Sequence, residues 1–139
     1  MFEGTRILTE DIIARDYAPQ VWFNPQGAKH HAQYAEASGF CAFNDMAWAA
    51  QRFNRLGKRV AYLDWDAHHG DGVENLTRNF PHTMTASIHQ RNIFPGTGTR
   101  HAVAHQVWNY PLFQGDGNDM LLDAVYEALA EIERFSPDV

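Results

Sequence analysis

Carboxylates and imidazoles crowd into one short stretch, where the apolar run Val60-Ala-Tyr-Leu leads straight into Asp64, Asp66, His68, His69 and Asp71, with glycines on both sides of Asp71. Both donor types are good ligands for zinc, so this density at the end of a strand reads as a divalent metal site. Asp66 and His68 are two residues apart, which puts both side chains on the same side of an extended backbone. A second pair, His30 and His31, follows another short apolar run and reaches the same place if the two runs lie parallel in one sheet. An imidazole that titrates near neutral pH beside a metal-activated water is the equipment of a hydrolytic site with its own base. Each signal also has a plainer reading: an isolated Asp-x-His is a capped strand end, and two adjacent histidines are a turn or a chance surface pair. In a strictly extended segment neighbouring side chains point oppositely, so His30 and His31 can share a target only if the backbone turns at them.

Positioning those groups falls to an alternation of helices and strands. Thr9 to Arg15 reads as a short helix and Val21 to Asn24 as a short strand. Asn44 or Asp45 caps a helix through Trp48, Phe53 and Leu56, which Gly57 ends. Val60 to Asp64 is a strand, Gly72 to Phe80 a helix, Thr83 to His89 a second alternating strand, and Val107 to Leu112 another. Between the last two lies the loop Phe94-Pro-Gly-Thr-Gly98. The final helix is amphipathic, with Leu121, Leu122, Val125, Leu129, Ile132 and Phe135 on its buried side. The pattern predicts an α/β fold of three layers, a mostly parallel sheet with helices on both faces and right-handed crossovers. Sites in such sheets gather at the carboxyl ends of strands, which is where His30 and His31, Asp64 to Asp71, and His89 with the Phe94 loop all fall. Phe135-Ser-Pro-Asp-Val139 reads as the loop and first residue of a further parallel strand. The expectation is therefore an incomplete domain whose open sheet edges could pair with another copy as a homo-oligomer.

A length of 139 residues suits one domain, and 45% hydrophobic with 20% charged residues is ordinary globular composition. The net charge of -6 offers no basic footprint for direct nucleic-acid binding. The single cysteine, Cys41, cannot form an internal disulfide, which suits a reducing cytoplasm. No stretch approaches the ~18 apolar residues of a membrane span, and the first residues lack a continuous apolar core. The sequence predicts a cytoplasmic chain with no membrane segment.

Three long segments, His30 to Asp45, Asp64 to Gly72 and Phe94 to Gly98, stand in an order that resembles the zinc-dependent histone deacetylase family, which includes bacterial acetoin-utilisation and acetylpolyamine deacetylases. The resemblance runs from about Gly27 onward and implies an arginase/deacetylase fold, with residues 1–139 the central portion of a catalytic domain lacking its N-terminal and C-terminal parts. It implies zinc-dependent hydrolysis of an acetyl-amide on lysine, a polyamine or a similar amine. Asp66 and His68 match two of three zinc ligands. His30 and His31 match the paired histidines beside the metal-bound water, one general base or acid and the other its electrostatic partner. Asp64 would help hold a structural monovalent cation, potassium, with nearby carbonyls and Ser87, and would also orient a catalytic histidine. Asp71 is read as an ordinary loop-stabilising carboxylate. Gly39, Phe40 and Phe94 match the narrow substrate channel, its apolar walls suited to a methylene chain. Cys41 is a small buried spacer, and His82, His89, His101 and His105 match no role.

The third zinc ligand, an aspartate, and the tyrosine that stabilises the oxyanion belong to family segments beyond Pro137. The 139 residues alone should therefore bind zinc weakly and turn over poorly. The competing reading is a non-catalytic metal-binding or oligomerisation module derived from the same fold. Arginase-like manganese chemistry is a third, against which a two-metal site would want more carboxylates.

Overall fold

The computed structural model describes residues 2–139. In chain order these form α1 (Phe2–Ala14), α2 (Asp45–Asn54), β1 (Val60–Asp64), α3 (Asp71–Thr77), β2 (Thr83–Gln90), β3 (Val107–Leu112) and α4 (Asn118–Phe135), with a 3-10 turn at Val103–His105. The strands make one parallel sheet in the order β1-β2-β3. Val60 pairs with Thr83 and Asp64 with Ser87, while Thr85 pairs with Val107 and Gln90 with Leu112.

Alternation along β2 sorts the layers. Met84, Ala86 and Ile88 pack with Tyr110 against Ala124, Ala128 and Phe135 of α4 in one apolar cluster. Met84 and Ile88 are almost wholly buried, each removal from water contributing about 2 kcal/mol. The opposite face carries Thr83, Thr85, Ser87 and His89, all buried. On that side α2 brings Ala50 and Phe53 against Val60, and Asn54 Nδ2 donates to Thr83 Oγ1. Both faces of the central strand are therefore covered, as the alternation of elements predicts for an α/β sheet. Asn44 caps α2 by accepting from the Ala47 amide at 2.9 Å, and the helix stops ahead of Gly57, as read from the sequence.

Several local expectations are corrected. Val21 to Asn24 is not a strand: its backbone is irregular, and Val21 and Phe23 are 98% and 81% exposed. Prolines at 19 and 25 flank it, and Pro25 restricts Asn24 while offering no amide donor. Side chains hold the segment instead, Trp22 Nε1 donating to Asp11 Oδ2 at 2.8 Å and Asn24 Nδ2 to Thr5 Oγ1 at 2.9 Å. Helix α1 is also longer than Thr9 to Arg15, while β2 and β3 are joined by a loop, as read from the sequence, with a 3-10 turn at Val103–His105. On α4 the large residues Leu121, Leu122 and Leu129 are exposed, and the contact stripe runs through the small Ala124 and Ala128. Val139 reaches the outer edge of β1, its amide donating to Arg59 O at 3.1 Å and its carbonyl accepting from the Ala61 amide at 2.9 Å. No helix among the described residues is long and apolar enough to cross a membrane.

Candidate active site

Asp64 ends β1 with its carboxylate buried, and three donors converge on it. His30 Nδ1–H donates to Oδ2 at 2.6 Å, the Tyr62 hydroxyl to the same oxygen at 2.7 Å, and the Asp66 amide to Oδ1 at 3.0 Å. Burial pushes the Asp64 carboxyl up, but these hydrogen bonds outweigh it and hold the group below its ordinary range. The same contact acts on His30: burial pulls its pKa down, and the hydrogen bond and charge of Asp64 overcome that and raise it. Tyr62 is raised well above its ordinary value by burial and then by the Asp64 charge, so its hydroxyl remains a donor.

His31 repeats the arrangement with a different element. Its Nδ1–H donates to Oδ1 of Asp71, the first residue of α3, at 2.7 Å, and Gln33 Nε2 donates to Oδ2 at 2.8 Å. The backbone turns at His30 and His31, as two neighbours facing one target require, and the ring centroids lie 4.0 Å apart. With each Nδ1 tied to a carboxylate, each Nε2 is left for chemistry. The loop that carries the pair is anchored by Asp45, which is 1% exposed and accepts from the Lys29 amide at 2.7 Å, the Ala28 amide at 3.2 Å and Thr5 Oγ1 at 2.6 Å. Asp45 reads from the sequence only as a helix start, and Asp71 only as a loop carboxylate. Their roles arise from contacts with residues 16 and 40 positions away.

Asp66 and His68 lie on the loop after β1, with Asp66 Oδ1 and His68 Nδ1 3.0 Å apart and both side chains half exposed. Burial raises the Asp66 carboxyl, but the amide and ring of His68 lower it further than burial lifts it. His68 stands 6.0 Å from His31 between ring centroids, and the Phe94 ring lies 4.9 Å from His31 and 6.2 Å from His68, edge to face. A carboxylate oxygen and an imidazole nitrogen converging beside solvent suit zinc chemically, but catalytic zinc takes three protein ligands and a water. Among the described residues no cluster of three potential ligands forms, so Asp66 and His68 fit zinc as two members of a larger set.

The residues expected to line a channel divide. Ser38 and Cys41 pair across a tight turn whose two central residues, Gly39 and Phe40, have φ of 52° and 61°. That turn presses Gly39 onto His31, so that a methyl group on Gly39 would lie 2.3 Å from His31 Cδ2. Phe40 stands fully exposed at the tip, in a backbone region uncommon for a bulky residue. Ser87 is directly opposite Asp64 in the sheet, and its hydroxyl lies 3.0 Å from His89 Nδ1. Cys41 is buried with its Sγ 3.4 Å from Gly39 O. The structure thus brings His30, His31, Asp64, Asp66, His68, Gly39 and Phe94 together, sets Ser87 beside Asp64 on the neighbouring strand, and leaves Phe40 in solvent.

Fold and site together define an α/β protein with paired imidazole–carboxylate contacts at the carboxyl edge of a parallel sheet. The same fold is present in the crystal structure of acetylpolyamine aminohydrolase from Burkholderia pseudomallei, which superposes with a TM-score of 0.83 at 32% identity over 98% of this chain and 42% of that one. Acetoin utilization protein AcuC of Bacillus subtilis (strain 168) is 39% identical over 125 residues, 84% of this chain and 32% of its own. Histone deacetylase 1 of Homo sapiens is 41% identical over 112 residues, 76% of this chain and 22% of its own. The family model of the histone deacetylase domain matches residues 2–139. The chain belongs to the histone deacetylase family. It spans about a fifth to a third of the curated relatives it matches.

Proposed function

We propose that residues 1–139 form the central portion of a zinc-dependent deacetylase domain that hydrolyses the acetyl-amide of an acetylated lysine, acetylpolyamine or similar amine. The observation that carries this reading is the convergence of two buried histidine–carboxylate pairs on the open Asp66–His68 pair. Asp66 and His68 would hold the metal together with a ligand from outside the described residues. Zinc bound there would supply a Lewis acid and a water acidic enough to attack at neutral pH. His30 and His31 present Nε2 as proton carriers, one to take a proton and return it to the leaving amine, the other to hold positive charge beside it. The raised pKa of His30, maintained by Asp64, suits the second task. Phe94 would wall a slot for a methylene chain, and Phe40, at its exposed turn, would close the other side once substrate lies between them. A structural potassium ion is proposed near Asp64 and Ser87, with backbone carbonyls completing its oxygen ligands.

The test is hydrolysis of a fluorogenic acetyl-lysine peptide and of an acetylated diamine by the zinc-loaded native protein. Both His31→Ala and Asp66→Ala should lower the rate by about a hundredfold or more. A protein with neither stoichiometric zinc nor hydrolysis, forming a stable oligomer, would instead be the non-catalytic module.

A further inference from the structure

His69 and His89 take no part in the site described above, yet both are buried, 3% and 2% exposed, with ring centroids 4.7 Å apart. Each ends on the Phe94 loop. His89 Nε2–H donates to Gly98 O at 3.1 Å, which leaves Nδ1 to accept from the Ser87 hydroxyl at 3.0 Å. His69 Nε2–H donates to Glu74 Oε2 at 2.9 Å, which leaves Nδ1 to accept from the Thr97 hydroxyl at 2.8 Å. Glu74 is buried on α3, and Asn109 Nδ2 of β3 donates to the same Oε2 at 2.9 Å. Arg78 binds its other oxygen. An ionised carboxylate only accepts, so Glu74 fixes which nitrogen of His69 carries the proton and leaves the other to receive the Thr97 hydroxyl. Gly98, at φ 70°, lies so close that a methyl group there would be 2.5 Å from His69 Cδ2 and 2.7 Å from His89 Cε1.

We infer that Glu74, His69 and His89 are positioning residues that clamp Thr97 and Gly98, and through them hold the Phe94 ring at its place beside His31 and His68. Helix α3 grips one loop residue through Glu74 and His69, and strand β2 grips the next through Ser87 and His89. A loop tied at two consecutive residues to a helix and a strand loses the freedom that loops of this exposure ordinarily have. The wall of the slot is then set before substrate arrives, and substrate binding is spared the entropy of ordering it. The link to substrate rests on the reading of Phe94 as a channel wall.

Thr97→Val removes the hydroxyl while keeping the shape, and Thr97→Ser restores it. In the native protein, Thr97→Val should raise amide hydrogen exchange in residues 92–99 by about fivefold to tenfold and leave β2 and α4 unchanged. It should raise KM for an acetyl-lysine peptide by a similar factor with kcat within about twofold, and Thr97→Ser should match the parent in both measurements. Exchange in the loop that stays at the parent level, or that rises equally throughout the sheet, would overturn the clamp. A fall in kcat with KM unchanged would overturn its part in substrate binding. If the parent itself hydrolyses nothing, the deacetylase reading fails while the exchange measurement alone still decides the clamp.

Discussion

His31 Nδ1–H donates to Asp71 Oδ1 across 2.7 Å, a hydrogen bond that fastens a loop imidazole to the first residue of α3. Both groups are buried, so truncating the carboxylate leaves an N–H in the interior without a partner, at a cost of about 1–3 kcal/mol. Asp71→Ala should lower stability by about that amount in urea denaturation and lower kcat by about tenfold or more, because His31 loses its fixed tautomer.

The His30–Asp64 pair sets a pH window. Asp64, held below its ordinary value, adds stability that is present above about 4 and lost as acid protonates it in the fold. His30, held above its ordinary value, adds stability that is complete below about 6.5 and lost as the pH rises through its folded value. Asp64→Asn should remove both edges of the window and lower the His30 pKa, which an NMR titration of the imidazole reads directly. An unchanged His30 titration in that variant would show that Asp64 is not the cause.

Acid should weaken the fold through a second pair of groups. Burial, and then the nearby His69, press the His89 pKa from 6.5 to about 4, so between those values the unfolded chain holds the extra proton and stability falls as pH falls. Burial alone would raise Glu74, but His69, Asn109 and Arg78 hold it at about 2, and its contribution is lost as the pH drops from 4.5 toward that value. The His89 part amounts to at most about 3 kcal/mol. Denaturation midpoints measured from pH 7 to pH 4 should decline, and His89→Gln should flatten the decline.

Gly39→Ala tests the turn against His31. The new methyl group would strike the imidazole, and φ at this position is 52°, in the region that favours glycine. A loss of about 1–3 kcal/mol by thermal or urea unfolding is the expected result. Phe40→Ala, one residue on, removes a fully exposed ring and should change stability by less than about 0.5 kcal/mol.

What the sequence makes legible here is what local rules govern. Asn44 as a cap, Val60 to Asp64 as a strand and the alternation in Thr83 to His89 are each decided within a few residues. The false strand at Val21 to Asn24 shows the limit: an apolar run bounded by prolines meets the pattern, yet no neighbouring strand pairs with it. Leu121, Leu122 and Leu129 mark the same limit on α4, since side-chain size suggests burial, while Ala124 and Ala128 are what lets the helix settle against the three strands. In the site, Asp66, His68, His30 and His31 stand out because ligand and base chemistry selects their types. Glu74, Thr97, Asp45 and Tyr62 do not, because each matters only through a partner that the fold brings from a distant segment.

The two imidazoles at the turn answer to different masters: one takes its bearing from the tip of a strand, the other from the mouth of a helix. The gap between the two rings is therefore a ruler of how α3 is seated on the sheet. Any ligand or neighbouring segment that slides this helix by a fraction of an ångström would shift one ring against the other without touching either.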